Sequence, residues 1–392
     1  MKPTDLPRRR FLRLAVASAL TAPTLVRAAE PIRVGFLGPL SGVLGRVAET
    51  NRNCLAIALD EINAAGGLLG RRVELVTEDS QMSVMVSLDK ARKMISRDGV
   101  SMIIGTVIPF EREAALQAAA QRQVMVIHPN LDEGRCHPQL LTTGQAPNQR
   151  IDPVIDWATR NIGKTMIIMA SDLGTNRQVL VPQLEAAMKR HGGAVLSVRY
   201  VPFGMVDYGP VLQQVRAQAP DMVWHSITDD PLTFFKQYRS FGMKPQLVTD
   251  IVHESIAAAT RGAAIGTIGV TSYMMSLSNA ENRKFLDSYT ARYPKSTTLR
   301  VGGKVVMMPM GESAYTGARL YAQAVNLAQS TDVARVKTAM QGMTLDAPRG
   351  KTQVGAGATH LLSPSFVARV GEDSSLELLS TYDPIAVCCQ TS

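Results

Sequence analysis

The residues best suited to hold a small polar molecule stand at the carboxyl ends of short β-branched runs. Ser41 and Gly42 follow Ile32 to Leu37, and Thr106 follows Met102 to Gly105. Hydroxyl and backbone groups at such places can fix a solute by hydrogen bonds. His128 and Asn130 follow Val124 to Ile127, and a neutral imidazole there can donate to a carbonyl or accept from an amide. Asp172 and Thr175 follow Thr165 to Ala170; Thr228 and Asp229 follow Asp221 to His225. Either aspartate suits an ammonium or amide N–H on a ligand. Either also suits the cap of the next helix, the role that Asp229 just before Pro231 fits better. Ser41 likewise fits a plain turn or cap, and His128 fits a histidine satisfied within its own loop. Glu254 opens a helix after Gln246 to Thr249, where a first-turn glutamate stabilises the helix with or without a ligand.

Catalytic patterns are missing. The six histidines show no HExxH or related metal spacing. There is no G-x-S-x-G elbow and no phosphate-binding G-x-x-x-x-G-K-[ST]. Gly66-Gly67-Leu68-Leu69-Gly70 ends a helix where a dinucleotide loop would begin one. The 19 methionines fit core filling better than copper ligation. The expectation is a binding protein that is not an enzyme and uses no cofactor or metal.

The elements that position these residues alternate between short strands and helices, the pattern of parallel sheets covered by helices. Strands are expected at 32–37, 73–76, 102–105 and 124–127, with helices at 47–65, 85–97 and 111–121. A second series follows Gly144 to Asn148, with strands at 165–170, 195–200, 221–225 and 246–249. Its helices are expected at 151–161, 177–191, 208–218 and 231–241. Helices return at 282–293 and 311–328, then short strands near Thr352, Val367 and Leu376. Two comparable series imply two open sheets, and ligands of such sheets bind at the carboxyl ends of the strands. A return to earlier element types implies that the chain crosses between the halves more than once.

The first 29 residues read as an export leader. Arg8-Arg9-Arg10-Phe11-Leu12-Arg13 precedes an apolar run from Leu14 to Leu25 and the small-residue stop Val26-Arg27-Ala28. That run is about 12 residues, short of the roughly 20 that span a bilayer, and its arginine pair suggests the twin-arginine route. The leader holds six of the 42 basic residues and one of the 33 acidic ones, leaving 36 against 32, or +4. Such a balance, with no basic cluster, gives no sign of a nucleic-acid partner. No later run of apolar residues is long enough for a membrane anchor, so the mature chain is expected to be soluble. A Cys54–Cys136 disulfide is one open pairing in an oxidising compartment, although Cys54 sits on an apolar helix face where a free cysteine is ordinary. Cys388 and Cys389 carry no assigned role.

Several segments resemble the periplasmic binding proteins of the branched-chain amino acid type, and within it the branch that binds urea and short-chain amides. They are Val34 to Gly42, Ala58 to Arg71, Asp132-Glu133-Gly134, Thr143 to Gln149, Ser171-Asp172, Phe234-Phe235-Lys236, Glu312-Ser313-Ala314-Tyr315 and Asp346 to Gly350. The resemblance implies a two-lobed α/β fold of type I, each lobe an open, mostly parallel sheet flanked by helices, with three hinge crossovers. It implies a small amide, urea-like compound or amino acid held by lobe closure, and an ABC permease and ATPase as partners. A sensor role, docking on a histidine kinase, is the alternative. Where the amide binders carry aromatic and hydroxyl residues, this chain has Val107, Pro109, His128, Asn130, Leu173 and Thr175, so its pocket is expected to differ. The expected division is a leader at 1–29, one lobe from 30–146 with 272–342, a second from 147–271 with 343–385, and a tail at 386–392. The expected crossovers lie at 144–148, 268–272 and 342–348.

Overall fold

The computed structural model describes residues 30–42, 44–120, 122–227, 231–294, 300–301, 304–387 and 389. The expected leader, Thr228, Asp229 and Cys388 lie outside the described residues.

Five strands make a wholly parallel first sheet: β1 (Ile32–Gly38), β2 (Val73–Asp79), β3 (Val100–Gly105), β4 (Met125–His128) and β5 (Leu140–Thr142), in the order β2-β1-β3-β4-β5. Helices α1 (Gly45–Ala64), α2 (Val84–Ser96) and α3 (Pro109–Ala120) connect the first four. Both faces are covered, so Val34, Phe36, Ile103 and Val126 are all fully buried, as central parallel strands require.

The second series begins with α4 (Pro147–Asn161) and β6 (Thr165–Ser171). A π-helical turn, Asn176–Leu180, leads into α5 (Val181–Arg190). Next come β7 (Ala194–Val201), α6 (Gly209–Gln218), β8 (Met222–Ser226), α7 (Pro231–Ser240), β9 (Gln246–Thr249), α8 (Glu254–Ala259) and β10 (Ile268–Thr271). The chain then returns to the first sheet. α9 (Ala280–Arg292), the short pair β11 (Arg300–Val301) and β12 (Lys304–Val305), α10 (Pro309–Ala328) and α11 (Val333–Met340) follow in order. Phe285, Tyr315, Leu320 and Val336 from these helices join the core under α1. α10 lies against α1 because Gly311 has no side chain; a Cβ there would meet Thr50 and Cys54.

Strands β13 (Thr344–Ala347), β14 (Gly350–Val354) and β15 (Leu361–Leu362) form a small antiparallel sheet. β16 (Ser365–Val370) and β17 (Leu376–Tyr382) then extend the second sheet, whose order is β17-β16-β10-β9-β8-β6-β7. Only β16 runs against the others, so its pairings with β10 and β17 are antiparallel and the rest are parallel. The result is an α/β fold of two mostly parallel sheets, each flanked by helices on both faces.

One expectation needs correcting, and one pairing left open by the sequence is decided. Residues 343–362 do not pack with the second sheet: Met343, Leu345, Val354, Ala358 and Leu361 enter the first core, and His360 bridges to Thr142 of β5. The last return to the second sheet therefore falls between Leu362 and Ser365, later than 342–348. Nor does Cys54 pair with Cys136. Cys54 is free and buried beside Met307, its Sγ 3.7 Å from the Met307 Sδ, because its helix face is packed against the region entering α10. Cys136, in the β4–β5 loop, is bonded instead to Cys389 of the returning tail, with Cα atoms 5.5 Å apart.

Candidate functional site

The crossovers are pinned by buried polar groups. Arg349 and Glu312, both fully buried, form an ion pair, and Arg349 Nη1 donates to the Thr143 carbonyl (3.1 Å). Thr143 Oγ1 donates to the Ser313 carbonyl (2.9 Å). Gln145 Nε2 donates to Ser365 Oγ (3.0 Å), which donates to the Gln149 carbonyl (2.9 Å). A buried charge pair is costly to break on one side only, so Arg349 and Thr143 tie the first crossover to α10, while Ser365 ties the last crossover to the first.

A cavity of ≈ 180 Å³ opens where the strand ends of the two halves approach. Leu131, Asp132 and Glu133 of the loop after β4 form one wall. Arg150 from the first turn of α4, Thr175 and Asn176 after β6, Ser226 at the end of β8 and Asp250 after β9 form the other. Arg150 and Asp250 are an ion pair and both are buried, yet Arg150 Nε has no partner among the described residues. On the opposite wall, Asp132 Oδ2 and Glu133 Oε2 accept from Arg112 Nη1 (2.6 and 2.9 Å). Burial alone would raise the Asp132 pKa, but the hydrogen bond from His360 and the positive charges around it win and lower it to about 2. Asp132 is thus ionised at neutral pH.

The expected site residues fall into three groups. Thr175 is exposed and lines this cavity. Ser41, Gly42, Thr106, Val107, His128 and Asn130 gather at the ends of β1, β3 and β4, where most of their polar groups are already engaged. Ser41 Oγ donates to Asp79 Oδ2 (2.8 Å), and the Val107 amide donates to Glu111 Oε2 (2.8 Å). Thr106, in the left-handed region at φ +53°, is fully buried, with its hydroxyl 2.7 Å from the Gly105 carbonyl and 2.9 Å from His128 Nδ1. His128 Nε2 faces the Leu131 carbonyl at 3.2 Å.

The expected meeting of His128 with a solute therefore needs correcting. The ring is fully buried and both of its nitrogens have protein partners, while burial and the charge of Arg112 press its pKa down to about 4. It is a neutral loop brace. Asn130 is different: its Nδ2 donates to the Thr106 carbonyl (3.0 Å), but its buried Oδ1 has no partner among the described residues.

In the second half, Asp172 is exposed and pairs with Arg177 Nε (2.6 Å), whose guanidinium stacks on Tyr200. Leu173 is half-buried beside it. Neither lines the cavity. Glu254 is buried; its Oε1 accepts from the Met275 amide (2.7 Å) and its Oε2 has no partner among the described residues. Burial raises its pKa to about 7, outweighing the backbone hydrogen bonds that oppose the shift. Among the described residues no group of three or more His, Cys, Asp or Glu side chains is placed to hold a metal ion.

Sequence reasoning did not select Arg150, Ser226 or Asp250. Asp250 directly follows a strand and could have been found by the same rule that selected Asp172. Arg150 could not, because it belongs to a helix turn that reaches the cavity only through the crossover.

Two sheets joined by several crossovers, with a polar cavity between their strand ends, define a protein built to enclose a small molecule. A family model described as periplasmic binding protein matches residues 31–375, and the chain belongs to that family. A Leu/Ile/Val-binding protein homologue from Brucella suis is 26% identical, with 86% of this chain and 88% of that one covered. Among solved structures, an ABC transporter substrate-binding protein from Sphaerobacter thermophilus superposes with a TM-score of 0.80 at 25% identity, covering 90% of this chain and 98% of that one. An ABC solute-binding protein from Rhodopseudomonas palustris in complex with 3,4-dihydroxybenzoic acid gives 0.79 at 19% identity, with 91% and 98% covered. The fold is that of the type I periplasmic binding proteins. No helix among the described residues is long and apolar enough to cross a membrane.

Proposed function

We propose that the chain is the periplasmic solute-binding component of an ABC importer, exported through its twin-arginine-type leader, and that it captures a small amide, urea-like compound or amino acid between its halves. The cavity carries the reading: it joins loops of both sheets, and it is smaller than the roughly 300–1,000 Å³ of sites for drug-sized ligands. Its polar groups supply both signs. The partnerless Arg150 Nε can donate to a carbonyl or carboxylate oxygen, while Asp250 and Glu133 can accept from an amide or ammonium. A solute carrying both kinds of group, as an amino acid does, uses the whole wall. Contacts to both halves favour the closed state, and only that differential binding shifts the population toward it.

A thermal-shift screen of amino acids, amides, ureas and hydroxybenzoates tests the proposal, the last class because of the relative that binds one. A solute at 100 times its Kd adds about 2.7 kcal/mol to the folded state, which a melting curve registers clearly. A flat response across all four classes would count against it.

A further inference from the structure

The carboxyl-terminal residues cross from one half to the other and are fastened there. β17 ends at Tyr382 in the second sheet, whereas Cys136 lies between β4 and β5 of the first, and the Cys136–Cys389 disulfide joins them. Between these points the Ile385 carbonyl accepts from Gln149 Nε2 (3.0 Å) and the Ala386 carbonyl from Asn148 Nδ2 (2.7 Å). The tail therefore lies along the first turn of α4, beside the first crossover. The anchor reaches the cavity wall through His360. Cys136 Sγ lies 3.5 Å from Thr359 Oγ1 and 3.7 Å from His360 Nδ1, and His360 Nε2 lies 3.4 Å from Asp132 Oδ1.

We propose that Cys136–Cys389 is a redox-modification site: when oxidised it straps the tail of the second half onto the first, and reduction by an external dithiol releases the strap and loosens the loop carrying Asp132 and Glu133. Cys389 is exposed and Cys136 only half so, and access governs which sulfur is attacked. One thiolate of the dithiol attacks Cys389 Sγ. The electron pair of the broken S–S bond leaves on Cys136, whose sulfur faces His360. The second thiol of the reductant then attacks the mixed disulfide and frees Cys389. The reductant ends as a disulfide, and the protein gains two thiols with the two protons that the dithiol gave up. A bridge spanning 253 residues of sequence restricts the opened chain strongly, and its loss acts first on the segments that it holds.

The test uses the whole exported chain with no solute added, so its outcome is independent of the importer reading. Peptide mapping without reductant is expected to recover the 136–389 linkage; free Cys136 in the air-oxidised protein would overturn the proposal. Hydrogen exchange is then compared before and after treatment with dithiothreitol. Amides at 131–137, 359–361 and 383–387 are expected to exchange about tenfold faster or more once the bridge is reduced, as local opening becomes easier. Cys389→Ser should exchange like the reduced protein and show no further response to dithiothreitol. Unchanged exchange at 131–137 in both the reduced protein and the variant would refute the strap.

Discussion

Replacing Glu254 by glutamine should make the protein more stable at alkaline pH and leave it unchanged in acid. The carboxyl is buried, one of its oxygens has no partner, and burial raises its pKa to about 7 from an ordinary 4.5. Below about 4.5 the group is protonated in both the folded and the unfolded chain, and its full contribution to stability is present. As pH rises toward 7 the unfolded chain releases its proton first, so the folded state holds the excess proton and stability falls. Above pH 7 the loss is complete. At 1.36 kcal/mol per pKa unit, a rise of that size corresponds to about 3 kcal/mol. Glutamine keeps the shape and an oxygen able to accept from the Met275 amide, and it carries no charge. Urea unfolding of both proteins from pH 4 to 8.5 measures the difference. The gap between them should open between pH 4.5 and 7, with the variant the more stable. A gap that does not vary with pH would refute the assignment of a buried, proton-holding carboxyl.

Other consequences follow from the same geometry. His128→Ala strips a partner from Thr106 and from the Leu131 carbonyl, so the denaturation midpoint should fall by the equivalent of about 1–3 kcal/mol. Because the wild-type ring is held neutral down to about pH 4, the unfolded chain binds the proton first, and wild-type stability should fall as pH drops from 6.5. That fall should be shallower in the variant. Gly144→Ala places a Cβ on the Asn130 carbonyl at the first crossover, and a loss of about 2 kcal/mol or more is expected in thermal unfolding. Thr175→Val removes an exposed cavity hydroxyl; calorimetry with the best solute from the screen should show about fivefold weaker binding, with the melting temperature of the empty protein unchanged.

The repeated strand–helix alternation made the two-sheet α/β plan legible, because runs such as Met102-Ile103-Ile104-Gly105 are apolar on both faces and bounded by turn residues. The short strand β5 and the helix α11 escaped it. β5 is only three residues long, and α11 follows α10 after a brief turn. The side to which β13–β15 pack was hidden for a different reason. Their alternation shows that one face is buried but not in which core, and only the pairing of His360 with Thr142 decides. The site was partly legible. Strand ends led to Thr175, which lines the cavity, but also to Thr106 and His128, which do not, because nothing in the residue types says whether a histidine is already satisfied by its neighbours. The Arg150–Asp250 pair depends on residues 100 apart in sequence and became visible only when α4 met the end of β9.

The central claim is that one solute touches both sheets at once. Hydrogen exchange of the protein with and without the tightest solute from the screen tests it most directly. The account predicts protection of 131–133 in the first half together with 175–176, 226 and 250 in the second. Protection confined to loops of a single sheet would contradict it.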